Sequence, residues 1–561
     1  MKNKFIYILA ASMLITFSCE QEVLELQDPD APPAACNSCP AGASVGTNVS
    51  FEKFVSIGNG FVAGFQGGSL FTAGQNNSLP KLLSSQFNCA SGTPAAFNQP
   101  DIGSVNGFNL QLSNPGAGII LGRLVLFDPD GPTGPRSAAP YPAGFPGAPE
   151  VTCPSPVPAT PALPAPYNNG ELPAPYAGDK EALNNFGVPL VTLQQFLTGL
   201  TGGPSTGNPA YNPLYARFAS SPGTSRIVDD ARAANGSFYL IWLGIEDAIL
   251  YAATGASGAY SLTSAEDFGT YFNGIVATLL TGTEFKGVVG NIPNITSLPF
   301  FTTVRYNAIP MNAETATATN TAFGGYNLAV EALKHPNFDG AFGSAAELDA
   351  RKISFAASNT NRIVIADKNA TDLGPGWDLL VVAEQMTPEQ RAQLEPYRKV
   401  RQATENDLIT LSAGSVLGTC VSNNPLLVNG VSVPLADQYV LLPAETVEIM
   451  TRIAQFNQKI QEAVDANSTR LALANINTSF NTLFMASANP ASRGILIDGV
   501  TVASSFAPPA GIFSEDGIHL NSRGNAFTAN IFIDAINNKF QSQVPKICMT
   551  QYNGTSLPVN P

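Results

Sequence analysis

Asp516 and His519 stand three residues apart in "SEDGIHLNSRGNAF", and they are the pair in this chain best suited to moving a proton. A carboxylate so placed can fix the tautomer of an imidazole and steady its cation, leaving the far ring nitrogen to act as a base. The same spacing also fits a helix-start turn in which Asp516 caps and His519 is a polar surface residue. A base needs something to activate. The stretch "VSIGNGFVAGFQGGSL", Val55 to Leu70, has the form of a strand, a tight turn and a helix, the place where an α/β hydrolytic enzyme presents its serine, and Gly60 occupies it. Without a side chain at 60 no acyl-enzyme can form there. Ser56 falls inside the strand, and Ser69 lies far enough along that helical turns carry it away; both read as structural. His335, the only other histidine, precedes a proline at a helix end and reads as a capping or surface residue; with two histidines a His-rich metal site is excluded, and no cofactor is expected.

These residues need a scaffold that gathers separated loops. The continuous apolar run Phe238 to Leu243 suits a buried parallel strand ending at Gly244, and "FKGVVGNIPNITSLPFFTTV" repeats this strand-then-loop form. "PAETVEIMTRIAQFNQKIQEAV" places Ile449, Ile453, Phe456, Ile460 and Ala463 on one helical face and leads into the strand-like "TRLALANI". "GIFSEDGIHLNSRGNAFTANIFIDAINNKF" is a loop followed by an amphipathic helix. Alternation of this kind predicts an α/β fold with a doubly wound parallel sheet and loops collected at the carboxyl ends of its strands. The domain is expected over 48–545, with a Pro-rich insertion at about 128–180 that sustains neither helix nor central strand, and a second insertion at 305–441. Within the second, Thr387, Pro388 and Gln390 form a helix start with a capping box. Residues 546–561 read as a C-terminal tail.

The amino terminus has a different purpose. Residues 1–18 carry Lys2 and Lys4, then an apolar run too short for a bilayer, then small residues, which is the pattern of an export signal. Two outcomes are open: acylation of Cys19 at a sequence resembling a bacterial lipobox, which would anchor the protein in the outer membrane, or cleavage near Ser18 to give a soluble secreted chain. The acidic, then Pro/Ala-rich segment 19–47 reads as a tether. A net charge of -14 with only 12% charged residues leaves no basic cluster able to neutralise phosphates, so nucleic acid is excluded as a partner. The six cysteines besides Cys19 suggest disulfides, with Cys36-x-x-Cys39 read as a structural bridge or terminal staple.

Four separated stretches, in order, resemble the blocks of the SGNH/GDSL hydrolase family, in particular a lipoprotein branch of bacterial outer membranes. "IGNGFVAGFQGGSLFTAGQNNSLP" resembles the nucleophile block with Gly60 in the serine's place; "NNFGVPL" the second, with Leu190 for its glycine; "WLGIED" the third, with Glu246 for its asparagine. "SEDGIHLNSRGNAF" resembles the last and keeps Asp516 and His519. The resemblance implies a three-layer, flavodoxin-like sheet and an ester-hydrolase scaffold. In such a scaffold the serine and glycine N–H groups and the asparagine amide hold the oxyanion. An ionised Glu246 about 4 Å from that oxyanion would repel it by roughly 4 kcal/mol, and the lost amide donor costs roughly 3 more. Two alternatives are a protonated Glu246 that donates a hydrogen bond, and a Glu246 that merely caps the helix of "EDAILYAATG". The expectation is therefore a catalytically impaired, lipid-anchored protein that binds an acyl- or glycan-type ligand or a partner, touching the membrane only through its anchor. Hydrolysis by His519-activated water or a displaced serine, and a purely structural surface role, are the alternatives.

Overall fold

Phe54–Gly58 (β1) is buried at every position, as a strand covered on both faces requires, and so is Phe238–Trp242 (β3). With Asn185–Gly187 (β2), Lys286–Gly290 (β4) and Leu471–Ala474 (β5) they form one sheet in the order β2-β1-β3-β4-β5. Every pairing is parallel: Ser56 sits opposite Asn185 and Leu240, Leu240 opposite Val288, and Leu473 opposite Val289. This computed structural model describes residues 39–128, 139–142 and 169–557. The export signal, Cys19, most of the 19–47 tether and most of the Pro-rich insertion lie outside the described residues.

The sheet is flanked by helices whose apolar faces follow from sequence. The long helix Pro443–Ala466 buries Ile449, Ile453, Phe456, Ile460 and Ala463, the five residues placed on one face by their spacing. It packs on the helix Ala265–Leu280, where Phe268 and Phe456 stack at 3.9 Å. The helix Leu79–Ser91 packs with Ser522–Phe540, which buries Phe532, Ile533 and Ile536. The helix Leu79–Ser91 is also joined by a Cys39–Cys89 disulfide to the start of the described chain. Cys39 is thus a terminal staple to a helix, and its bond does not go to its neighbour Cys36.

Between β4 and the long helix the chain builds a second apolar core from residues 309 to 442, centred on Trp377, Ile365 and Val364. Thr387 and Gln390 make the expected capping box there. The stretch before the Pro-rich segment, whose sequence reads as more β-like than helical, forms the strand Leu124–Phe127, paired antiparallel with Ala139–Pro142, and isolated bridges at Phe108 and between Asn114 and Ile119. Asn and Gly residues around 106–118 turn the chain. After 545 the chain stays packed, with Asn530 exchanging two hydrogen bonds with the Ile547 backbone.

The β2-β1-β3 arrangement sets up the site. The chain leaves β1 toward β2 on one side and returns to β3 on the other, so a crevice opens where the connections diverge, at the strands' carboxyl ends. Gly60, Leu190 and Glu246 follow β1, β2 and β3 within four residues of each strand's end.

Candidate functional site

The loop before the helix Ser522–Phe540 carries Asp516 and His519 to this crevice. His519 Nδ1 lies 3.0 Å from Asp516 Oδ2, and Asp516 Oδ1 accepts the N–H groups of Ile518 and His519, each at 2.8 Å. The loop is pinned to the turn after β1, since Gly68 N–H donates to Asp516 Oδ2 at 2.9 Å and Gly67 N–H to Ser514 Oγ at 3.0 Å. Burial works to raise the Asp516 carboxyl, but the pull of the His519 ring and the donated N–H groups outweigh it and hold it at about 2. His519 is itself 5% exposed, wedged between the Phe61 and Phe65 rings at 5.0 and 4.8 Å. It is no surface residue.

The far edge of that imidazole lies against Gly60. A Cβ on Gly60 would stand 2.4 Å from His519 Nε2 and 2.8 Å from Cδ2, well inside contact distance. The ring therefore occupies the space that the first carbon of a serine would need, and glycine at 60 is what lets it come so close. Ser56 and Ser69 are elsewhere: Ser56 Oγ donates to Asn185 Oδ1 at 3.0 Å, and Ser69 Oγ to the Asn106 carbonyl at 3.1 Å. His335 accepts the Asn337 N–H through Nδ1, the cap its sequence context suggests.

Glu246 completes the constellation. It is 2% exposed, at the start of the helix Glu246–Ala253, so it combines the helix-start and crevice positions. Its Oε1 accepts the Gly60 N–H at 3.4 Å, and the Leu190 N–H is near enough to favour the ionised carboxyl slightly. Leu190 has φ +61°, the left-handed conformation that glycine adopts freely and that costs a leucine about 1–2 kcal/mol. That conformation is held by its surroundings: Asn59 Nδ2 donates to the Val191 carbonyl at 2.6 Å while its Oδ1 accepts the Gly244 N–H at 3.1 Å. The Gly60 N–H thus already has a carboxyl oxygen of the protein as its acceptor. Burial, opposed by the Gly60 and Leu190 N–H groups and aided by neighbouring Asp247, pushes Glu246 up to about 8. Its second oxygen, Oε2, has no hydrogen-bond partner.

Around these groups is a hollow with a free volume of ≈ 20 Å³, room for a water or two, lined by Phe61, Phe65, Leu190, Glu246, Ile249 and His519 among others. All five positions singled out in the sequence meet here. Asn59, Phe61, Phe65 and the buried acid Asp247 belong to the site as well. Asn59 had a sequence signal, a polar side chain closing an apolar strand; the others look like ordinary core or helix-start residues. Among the described residues no group of His, Cys, Asp and Glu could hold a metal ion. Comparison with protein-family models, with curated proteins and with solved structures returned no match.

Proposed function

We propose that this is an exported, lipid-anchored protein on an SGNH-hydrolase-like scaffold whose ester-cleaving centre is silent, so that it acts by binding and not by turnover. What carries the reading is the place of the Glu246 carboxyl: its Oε1 accepts the Gly60 N–H, a donor that an oxyanion would need. Burial keeps that carboxyl protonated near neutral pH, yet the N–H it accepts is not free for an oxyanion. Removing a single oxyanion donor typically costs 10²- to 10³-fold in turnover, and here the Gly60 donor is engaged. The nucleophile position adds to this, since Gly60 offers no oxygen and His519 fills the space beyond it.

Water activated by His519 would not escape the difficulty, because the tetrahedral oxyanion it produced would meet the same occupied donor. The reading is tested with p-nitrophenyl butyrate: release of p-nitrophenol by the mature protein should equal that of His519→Ala and of buffer. Turnover abolished by His519→Ala would overturn it.

A further inference from the structure

We propose that the hollow beside Glu246 is a binding site for a small organic cation, a primary ammonium group carrying a short apolar tail. The inference rests on the reading above, that the centre has left ester chemistry, and it names the ligand chemistry the altered residues now favour.

A site built to stabilise an oxyanion presents donors; this one presents acceptors. Oε1 of Glu246 accepts the Gly60 N–H, and Oε2, on a residue 2% exposed that lines the hollow, has no hydrogen-bond partner. A buried acceptor without a partner is a standing cost to the fold, which a ligand N–H would recover. The charges nearby agree in sign. Asp247 acts on Glu246 from the same helix, and Asp516 lines the hollow together with the His519 ring it pairs with. The walls complete the match: the Phe61 and Phe65 rings line the hollow, and aromatic faces attract ammonium groups, while Leu190 and Ile249 offer apolar surface to a tail. An ammonium head is about the size of a water and fits the free volume; the tail points outward along the apolar wall. No covalent bond to the ligand is made, and the one bond that changes is the Glu246 O–H. Glu246 gives its proton to solvent as the cation enters, and its Oε2 accepts from the ammonium N–H.

The test is calorimetric titration of the mature protein with n-propylammonium chloride, beside n-propanol and sodium propionate. Expected are millimolar or tighter binding of propylammonium, at least tenfold weaker binding of the other two, and at least tenfold weakening by Glu246→Gln, whose amide would turn a donor toward the ligand. Should that variant not fold, the wild-type protein decides the matter: titrations near pH 7 in two buffers of different ionisation enthalpy should show close to one proton released per cation bound, because Glu246 is held at about 8. Failure of propylammonium to bind, equal binding of propionate, or binding without proton release would overturn the inference. Ester turnover lost in His519→Ala would instead overturn the proposed function on which it rests.

Discussion

Raising the pH from about 5 to about 7 should weaken the fold by about 2.5 kcal/mol through Glu246 alone. In the unfolded chain this carboxyl titrates near 4.5, in the folded protein at about 8. Between those values the unfolded state has lost its proton and the folded state has kept it, so stability falls with rising pH by about 1.4 kcal/mol per unit. The full loss, reached above pH 8, is about 5 kcal/mol. Asp247 and Glu515, each raised to about 7 by burial, act in the same direction, so the wild-type slope contains more than one carboxyl. Glu246→Gln isolates the contribution, because its amide can accept the Gly60 N–H but cannot ionise. Urea unfolding followed by circular dichroism at the two pH values should show the variant losing about 2.5 kcal/mol less than wild type. Parallel pH dependence in the two proteins would refute the burial of Glu246 against the Gly60 N–H.

Other changes probe the rest of the site. Gly60→Ser should not create an esterase and should cost about 1–3 kcal/mol in urea unfolding, since its Cβ would press on His519 Nε2 and force the ring off Asp516; wild-type stability together with ester turnover would contradict this. Asn59→Ala strips partners from the Val191 carbonyl and the Gly244 N–H, both deep in the crevice, and should cost about 2–4 kcal/mol by the same assay. Asp516 has the opposite pH sign to Glu246. Its folded value of about 2 lies below the unfolded 3.8, so it contributes about 2.5 kcal/mol that is present above about pH 4 and lost as the pH falls through 2. Asp516→Asn should lose that amount near neutral pH and show no such loss on acidification.

The strands and the helical faces could be read from the chain because their signals are local. Phe238 to Leu243 is an unbroken apolar run, and Ile449 to Ala463 keep helical spacing, so neither depends on distant residues to be recognised. The loops after β1, β2 and β3 could be assigned to one crevice because a parallel sheet leaves them nowhere else to gather. Side-chain disposition within that crevice is another matter. Whether Glu246 capped a helix or entered the pocket turned on the φ of Leu190 and on Asn59 bridging two loops, neither of which leaves a trace in spacing. The approach of His519 to Gly60 is likewise a packing outcome, set by Phe61 and Phe65 closing around the ring. Residues 107–127 are more β-like than helical, as their sequence suggests, but Asn and Gly residues provide turns at intervals shorter than a long strand needs, so the pairing is confined to Leu124–Phe127 and isolated bridges. The buried Asp247 was invisible for a related reason: its partners, the Leu193 N–H and Thr263, lie on segments before and after it that only the fold brings together.

The crevice holds a His–Asp pair whose Nε2 lies against Gly60 and not a serine, with the Gly60 N–H already engaged by Glu246. Intact-mass spectrometry after prolonged incubation with a fluorophosphonate probe tests most directly whether that pair activates anything, because that reagent reports any nucleophile the histidine can activate, wherever it sits. The account requires the mature protein to keep its unmodified mass, as His519→Ala does. A stoichiometric adduct on the wild-type chain that is absent from His519→Ala would contradict it.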